Sequence, residues 1–226
     1  MTIDLGTRTT IAIVGAGTGT GAAVARKFGH ADFSVALISR NQAKLDQLAT
    51  GLINDGITVR GFAADVTDAA ALRRALSEAG AWGGPVEVLQ YSPIPHRDFL
   101  KPVLDTTSDD LARAVAFSIY GPKVVVDTVL PGMRALGRGT ILFVNGGSAV
   151  RPNAAVAGTS IAFAGESAYA QMLNGVLGSE NIHVAQLIIP GAISADSPDS
   201  SPGAIAERLW QIHVGRDSFR SYQRPL

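Results

Sequence analysis

The stretch TTIAIVGAGTGTGAAVARKF, residues 9–28, joins an apolar run to a glycine-rich loop and then to a segment of helical period. The apolar run is rich in β-branched residues, which favours a buried strand. Glycine permits a tight turn and lets backbone N–H groups approach an anion at the start of the next helix. The loop places glycines at Gly15, Gly17, Gly19 and Gly21. Between a first strand and a first helix it predicts nucleotide binding, and the alternative is a turn that is merely rich in glycine.

The alternation of strand and helix patterns continues along the chain. Further short apolar runs occupy residues 33–38, 57–62, 86–91, 139–144 and 182–189. Segments of helical period separate these runs, for example at 41–53, from about Thr67, and from about Ser108. Strands that are apolar on both faces need helices on both sides. We therefore predict an α/β fold, a doubly wound Rossmann-like parallel sheet of six strands, in a single domain covering 1–226, with ligands at the carboxyl ends of the strands.

Composition excludes several classes of function. Lysine plus arginine and aspartate plus glutamate both number 19, so no broad basic field would attract nucleic acid or an anionic membrane. The chain has no cysteine, its first residues lack the apolar core of a signal peptide, and no apolar run reaches the roughly 18 residues that span a bilayer. The only linker-like stretch is 194–203. We expect a soluble cytoplasmic protein with no nucleic-acid or membrane partner.

Several motifs together resemble the short-chain dehydrogenase/reductase family. The spacing Gly15-x-x-x-Gly19-x-Gly21 is similar to that family's loop, and AADVTD at 63–68 and IIPGAI at 188–193 are similar to its later motifs. Ser148, after ILFVNGG, falls where the family has its catalytic serine. The resemblance implies a nicotinamide cofactor. It assigns cofactor binding to Gly15, Thr18, Gly19, Thr20, Gly21, Asp65, Val66, Ser92, Pro190, Gly191 and Ile193, with Asp65 and Val66 beside the adenine.

The end of the second strand bears on which nicotinamide cofactor is bound. Family members that favour NAD usually have an acidic residue there, whereas this chain has Ser39 followed by Arg40. An arginine can pair with a 2′-phosphate through charge-assisted hydrogen bonds. The sequence therefore predicts NADP, and the alternative is an arginine simply solvated at a strand end.

The family's proton-donating pair is missing from this chain. In the family, a tyrosine about thirteen residues after the serine donates the proton, and a lysine four residues later lowers the pKa of that tyrosine. Counting from Ser148 gives Ile161 and then Gly165. No Tyr-x-x-x-Lys occurs anywhere in the chain, since even Tyr169 is followed four residues on by Leu173. The usual proton relay is therefore expected to be absent.

Other family positions are also changed, and few side chains offer a replacement. The Asn-Ala-Gly after the fourth strand corresponds to SPI at 92–94, and the asparagine of the fourth helix corresponds to Ser118. Tyr91 and His96 are candidate acids, against the alternatives of a core aromatic and a solvated histidine. Glu166 is interpreted as a charge on a helix surface. The remaining histidines, 30, 183 and 213, lack the spacing of a metal site.

Two functions remain open at this point. The first is an NADP(H)-dependent oxidoreductase acting on a small carbonyl or alcohol with a non-standard or impaired proton relay, favoured by Ser148 and the cofactor motifs. The second is a catalytically inactive NADP-binding sensor or partner protein, favoured by the missing relay. In either case we expect a homo-oligomer, because family members associate through the fourth and fifth helices and the matching segments at 114–130 and 160–173 are rich in small and apolar residues.

Overall fold

A computed structural model describes residues 8–226 of the protein. Its strands are β1 Thr10–Val14, β2 Ser34–Ser39, β3 Val59–Ala63, β4 Val86–Tyr91, β5 Gly139–Gly146, β6 Ile182–Ile189 and β7 Arg220–Tyr222. They form one sheet in the order β3-β2-β1-β4-β5-β6-β7, and every pairing is parallel. This confirms the predicted doubly wound α/β class.

Helices connect the strands. They are α1 Thr20–Gly29, α2 Gln42–Asn54, α3 Ala69–Gly83, α4 Ser108–Val115, α5 Gly121–Leu136, α6 Ala157–Leu177 and α7 Pro202–Gly215. A π-helical segment, Ala116–Tyr120, joins α4 to α5, and short 3₁₀ helices lie at Arg97–Leu100, Gly147–Ala149 and Gly178–Glu180. Asp68 caps α3 and Ser201 caps α7, each accepting hydrogen bonds from backbone N–H groups of the first turn.

The core lies on both faces of the sheet. On one face, Ile11 and Ile13 of β1 pack with residues of α1, α2 and α7. On the other face, Ala12 and Val14 pack with residues of α3, α5 and α6. Successive side chains of a strand point to opposite faces, so a strand buried on both sides must be apolar throughout. This is why most of the strands were visible in the sequence as mainly apolar runs with few polar residues.

The sheet has one strand more than the six that were predicted. The additional strand, β7, has only three residues and pairs with β6 at the sheet edge. Its sequence, RSY, carries no apolar run, and part of its attachment is polar, because Arg220 Nε donates to Gln186 Oε1 at 2.9 Å. A strand held in this way leaves no hydrophobic pattern in the sequence.

The continuous helical stretch Ser108–Leu136 is long and apolar enough to cross a bilayer by those two criteria alone. Half of its most apolar window is buried inside this chain. Val125, Val126 and Val129 pack into the core on the sheet. A helix packed in the core of an α/β fold meets the same criteria, and these valines place this stretch against the sheet.

The topology fixes where a ligand can bind. The strand order reverses between β1, which continues to β2 and β3, and β4, which continues to β5 and β6. The chains leaving these two strands therefore diverge, and a crevice opens at their carboxyl ends. Backbone hydrogen bonds from Gly15 N to Ile38 O and from Ser92 N to Val14 O, both 2.9 Å, hold the crevice floor together.

Candidate functional site

A cleft of about 1730 Å³ occupies this crevice. One part, here called the loop half, is bounded by the glycine loop and by residues at the start of α2. The other part, the serine half, is bounded by the segments that follow β4, β5 and β6. The two halves form one continuous space, so a single extended ligand can contact both.

The glycine loop has the geometry of an anion cradle. Gly15 has a φ of +92°, and a Cβ there would overlap the backbone of Pro93, so only glycine fits. Space is open where side chains would stand at Gly17 and Gly19. No side chain caps the start of α1 at Thr20, so the backbone N–H groups of its first turn are not covered by a capping residue. This arrangement fits the pyrophosphate of a dinucleotide.

Most residues predicted from the sequence to bind cofactor line this cleft. They are Gly15, Thr18, Gly19, Thr20, Gly21, Ser39, Ser92, Pro190, Gly191 and Ile193, and the predicted catalytic residue Ser148 lines it too. The turn after β6 is held in part by a residue near the end of the described chain. Gly191 has a φ of +75°, and Arg224 Nε donates to the carbonyl of Pro190 at 2.6 Å.

Three of the predicted cofactor residues lie outside the cleft lining. The Asp65 side chain is hydrogen-bonded within its own segment. Its Oδ1 accepts from Thr67 N at 2.9 Å and from Thr67 Oγ1 at 2.7 Å. Val66 packs against the core below α5. Arg40 is exposed at the end of β2 and makes no salt bridge within residues 8–226.

Lys44 is a cation of the loop half that sequence reasoning missed. It stands in the first turn of α2, lines the cleft, and makes no salt bridge within the described residues. Its backbone N–H donates to the Asn41 side chain that caps α2, at 3.0 Å. The signal was available in the sequence, since a polar N-cap at Asn41 places Lys44 one turn after Arg40.

Ser148 is placed by a short turn that follows β5. The 3₁₀ helix Gly147–Ala149 carries it, and the backbone N–H of Arg151 donates to the carbonyl of Gly147 at 3.0 Å. The same turn brings Arg151 to the cleft. Ser148 has no side-chain hydrogen bond to another residue within 8–226, so its hydroxyl is available to a ligand.

The two residues of α6 that line the cleft are not the two obtained by counting from Ser148 along the sequence. Ile161 is 49% exposed and outside the cleft lining, and a Cβ at Gly165 would lie 2.7 Å from Ile119 Cδ1. Thr159 and Phe163, which have the same spacing of four, are buried and line the cleft. The count of thirteen fails because the face of a helix depends on where the helix begins. Here the first facing position of α6, Thr159, comes eleven residues after Ser148.

Neither candidate replacement acid reaches the cleft. The Tyr91 side chain is fully buried, and its hydroxyl donates a hydrogen bond to the carbonyl of Phe117. Burial, followed by the charges of Glu166 and Asp65, raises the pKa of Tyr91 well above its ordinary value. His96 is exposed and its Nδ1 lies 3.2 Å from Asp98 Oδ2. Tyr91 is therefore a core aromatic, and His96 is a solvated histidine.

Glu166 is not on the helix surface, so that interpretation was wrong. It is 1% exposed, and its Oε1 accepts from Asn145 Nδ2 at 3.0 Å. Burial raises the pKa of Glu166 to about 8, opposed by hydrogen bonds from Asn145 and Ser118 that lower it. The interpretation failed because α6 is apolar on most sides, so its sequence pattern does not indicate which face carries its one charge.

A chain of buried hydrogen bonds continues from Asn145, which itself lines the cleft. Gln186 Nε2 donates to Asn145 Oδ1 at 2.8 Å, and Ser167 Oγ donates to Gln186 Oε1 at 2.9 Å. Arg220 also donates to Gln186 Oε1, and its Nη2 lies 2.8 Å from Ser167 Oγ. These bonds fix the orientation of the Asn145 amide at the cleft floor, and they connect it to the sheet edge at β7.

One wall of the serine half is formed by Ile94, Pro95 and Leu100, which belong to the segment 94–104 after β4. Its backbone is tied to the segment before α6, because Val103 N donates to Ala154 O at 2.8 Å and Ala157 N donates to Lys101 O at 2.9 Å. Lys101 Nζ also lies 2.7 Å from Asp110 Oδ2. The hydrogen bond from Lys101 is the largest of the contacts that lower the pKa of Asp110, so this carboxylate anchors the wall to α4.

The family pattern described as short chain dehydrogenase matches residues 9–202, which is most of the chain. The chain belongs to the short-chain dehydrogenase family. The match contains the glycine loop, Ser148 and the turn after β6, which the structure brings to one cleft. Enzymes of this family are oxidoreductases.

Relatives and solved structures agree with this assignment. The chain is 26% identical over 144 residues to human dehydrogenase/reductase SDR family member 4, covering 63% of this chain and about half, 51%, of that relative. A short-chain dehydrogenase from Rhodopseudomonas palustris has a TM-score of 0.82 at 28% identity, covering 96% of this chain and 99% of the other. An NADPH-bound short chain oxidoreductase from Pseudomonas aeruginosa PAO1, described as containing an atypical catalytic center, has a TM-score of 0.84 at 16% identity, covering 96% and 98%. This last likeness shows the fold alone.

Proposed function

We propose that this chain is an NADP(H)-dependent oxidoreductase that acts on a carbonyl or alcohol without the tyrosine and lysine of its family. One observation carries the proposal: a single cleft joins the glycine loop to Ser148, while α6 turns Thr159 and Phe163 toward it. The cofactor cradle and the serine are present, and the positions one helical turn apart that face them carry neither a phenol nor an ammonium.

The residues around the loop half support NADP rather than NAD. Arg40 and Lys44 stand at or just after the end of β2, and no aspartate or glutamate is among the described residues that line the cleft. Two cations beside a cleft whose lining has no aspartate or glutamate favour an added phosphate over free ribose hydroxyls. A structural neighbour bound to NADPH is consistent with this choice. When bound, the nicotinamide group supplies or accepts the hydride.

The chain's own residues would orient the substrate oxygen but would give it no strong acid. The Ser148 hydroxyl is positioned to donate a hydrogen bond to that oxygen, and Thr159 Oγ1 is occupied by a bond to the carbonyl of Val156 at 3.1 Å. Arg151 is the only ionisable side chain in the described lining of the serine half, and an arginine does not release its proton. Water would then supply the proton, and losing a positioned acid typically costs about 10²- to 10⁴-fold in rate.

The first experiment restores the missing groups. The double variant Thr159→Tyr with Phe163→Lys puts a phenol and an ammonium on the cleft face at the family's spacing. We expect kcat/KM for NADPH-dependent reduction of small ketones and aldehydes to rise by about 10²-fold or more over wild type. An unchanged rate in a folded double variant that binds NADPH would contradict the proposed cause of slow turnover.

A matched control uses the other face of the same helix. Ile161→Tyr with Ala164→Lys adds the same two side chains at exposed positions, outside the cleft lining. We expect no gain from this control. Thermal melts of both double variants would show whether the larger side chains at the buried positions disturb packing, since overpacking typically costs about 1 to 3 kcal/mol.

The second candidate function is a non-enzymatic NADP-binding protein, favoured by Phe163 standing on the cleft face in place of a polar group. The two candidates differ in wild-type behaviour. An enzyme oxidises NADPH in the presence of at least one of the small ketones and aldehydes, and the rate of NADPH oxidation falls in Ser148→Ala. A sensor binds NADPH with a rate that stays at background for every substrate and is not changed by Ser148→Ala.

A further inference from the structure

The serine half of the cleft has an apolar rim. Four of its lining residues are large, hydrophobic and substantially exposed: Ile94 at 86%, Leu100 at 45%, Ile193 at 46% and Leu226 at 53%. Phe163 and Val156 add apolar surface deeper in the cleft. Exposed hydrophobic side chains that converge on one concavity mark a ligand site, because water otherwise covers them at a cost in free energy.

These apolar residues come from separate parts of the chain that are held together. Ile94 and Leu100 lie on the wall that is tied to α4 through Asp110. Ile193 follows β6, and Leu226 lies close to Gly147, where a Cβ would be 3.6 Å from Leu226 Cδ2. The rim is therefore a built feature of the cleft, with both of its walls fixed by hydrogen bonds.

All the charged side chains that line the cleft are cations. Its charged lining side chains within the described chain are Arg26, Lys44 and Arg151, with no aspartate or glutamate among them. Arg26 is paired with Asp55 at 2.8 Å, and Lys44 belongs to the loop half. Arg151 is the cation of the serine half. It is exposed, and no salt bridge engages it within residues 8–226.

We propose that the serine half binds an apolar organic anion, a compound with a hydrocarbon body and a carboxylate, whose charge is held by Arg151 while its hydrocarbon part packs on Ile94, Leu100, Ile193 and Leu226. A guanidinium pairs with a carboxylate through two parallel hydrogen bonds, which fixes the orientation of the bound molecule. This assignment rests on the proposed function, since it names the class of carbonyl or alcohol that the cleft accepts next to Ser148.

The test measures binding and not turnover. Dissociation constants are determined by calorimetry for three probes with the same eight-carbon chain: octanoate, 1-octanol and octylammonium. The protein is titrated with and without saturating NADPH. We expect octanoate to bind about tenfold or more tightly than 1-octanol, because a charge-assisted hydrogen bond exceeds a neutral one, and octylammonium to bind most weakly.

Variants assign the two parts of the site. Arg151→Gln is expected to bring octanoate to the level of 1-octanol and to leave 1-octanol unchanged. Arg97→Gln removes an exposed cation of the neighbouring segment that does not line the cleft, and it is expected to change nothing. Ile94→Ser, at a position that is already exposed, is expected to weaken all three probes by a similar factor.

Equal affinities of the wild type for octanoate and 1-octanol would overturn the assignment, as would equal effects of Arg151→Gln and Arg97→Gln. So would a loss of NADPH affinity in Arg151→Gln with the probe ranking intact, since that would place Arg151 on the cofactor. Failure of the proposed function has a different signature: NADPH does not bind, or it binds and is oxidised with none of the ketones and aldehydes, while the ranking of the three probes remains measurable without cofactor.

Discussion

Replacing Glu166 by glutamine should make the protein more stable, by an amount that grows with pH. Burial raises the pKa of Glu166 from its ordinary value of 4.5 to about 8 in the folded chain. Below pH 4.5 the carboxyl is protonated in both folded and unfolded chains. Between pH 4.5 and 8 the unfolded chain loses this proton while the folded chain keeps it, so rising pH favours unfolding. Glutamine removes this titration and keeps an oxygen that accepts from Asn145.

The size of the effect follows from the same shift. A tenfold change in proton affinity is worth about 1.4 kcal/mol, so the wild type loses about 1.4 kcal/mol per pH unit within this window, or roughly 4 to 5 kcal/mol across all of it. Between pH 6 and pH 7.5 the expected loss relative to Glu166→Gln is about 2 kcal/mol. For a domain of this size that corresponds to a difference in Tm of about 4 to 8 °C.

The assay is a set of thermal melts of wild type and Glu166→Gln at half-unit steps from pH 5 to pH 8.5, with urea unfolding at pH 6 and 7.5 to give free energies. Glu78→Gln, which changes an exposed glutamate of α3, serves as the control and should follow wild type at every pH. Melting curves for Glu166→Gln and wild type that stay parallel across the range would refute the reasoning, because a buried carboxyl with a raised pKa cannot avoid this difference.

Four further predictions concern the cofactor, the loop, the core and assembly. Arg40→Ala should lower NADPH affinity about tenfold and leave NADH affinity unchanged, as measured by fluorescence titration. Gly15→Ala should weaken NADPH binding by at least tenfold and lower Tm, because its Cβ would overlap the backbone of Pro93. Tyr91→Phe should cost about 1 kcal/mol in urea unfolding with NADPH affinity intact, since it loses one buried hydrogen bond. Light scattering should give a mass above the 23.4 kDa of one chain, and Met172→Lys, on an exposed part of α6, should shift it toward that value.

The layout of strands was predictable because burial on both faces leaves little choice of residue. The predicted runs at 86–91 and 182–189 coincide with β4 and β6, and the other predicted strands differ at their ends by one or two residues. The glycine loop was predictable for a related reason, since both the left-handed backbone of Gly15 and its approach to Pro93 demand glycine. In each case the physical requirement admits only glycine or only a few apolar residue types, so the feature can be recognised from the sequence.

The polar part of the site could not be predicted in the same way. Glu166, Asn145 and Gln186 come from α6, β5 and β6, and they meet only because β5 and β6 are paired and α6 packs across them. Each of these residues stands alone in an apolar run, where a surface position and a buried hydrogen-bonded position look the same. Their partners are distant along the chain, so no local pattern of the sequence records the contact.

The orientation of α6 determines which of its residues line the cleft and where Glu166 lies. Thr159, Phe163 and Glu166 lie along one buried side of the helix, and Ile161 lies on the exposed side. Phe163, which lines the cleft, is therefore followed one turn later by a carboxyl that keeps its proton at neutral pH. That proton is not available to a substrate, because Glu166 does not line the cleft. Asn145 stands between Glu166 and the cleft, and its neutral amide does not pass a proton on. Glu166→Gln should therefore change the pH dependence of stability and leave the pH dependence of kcat unchanged, whereas a carboxyl in the relay would change both.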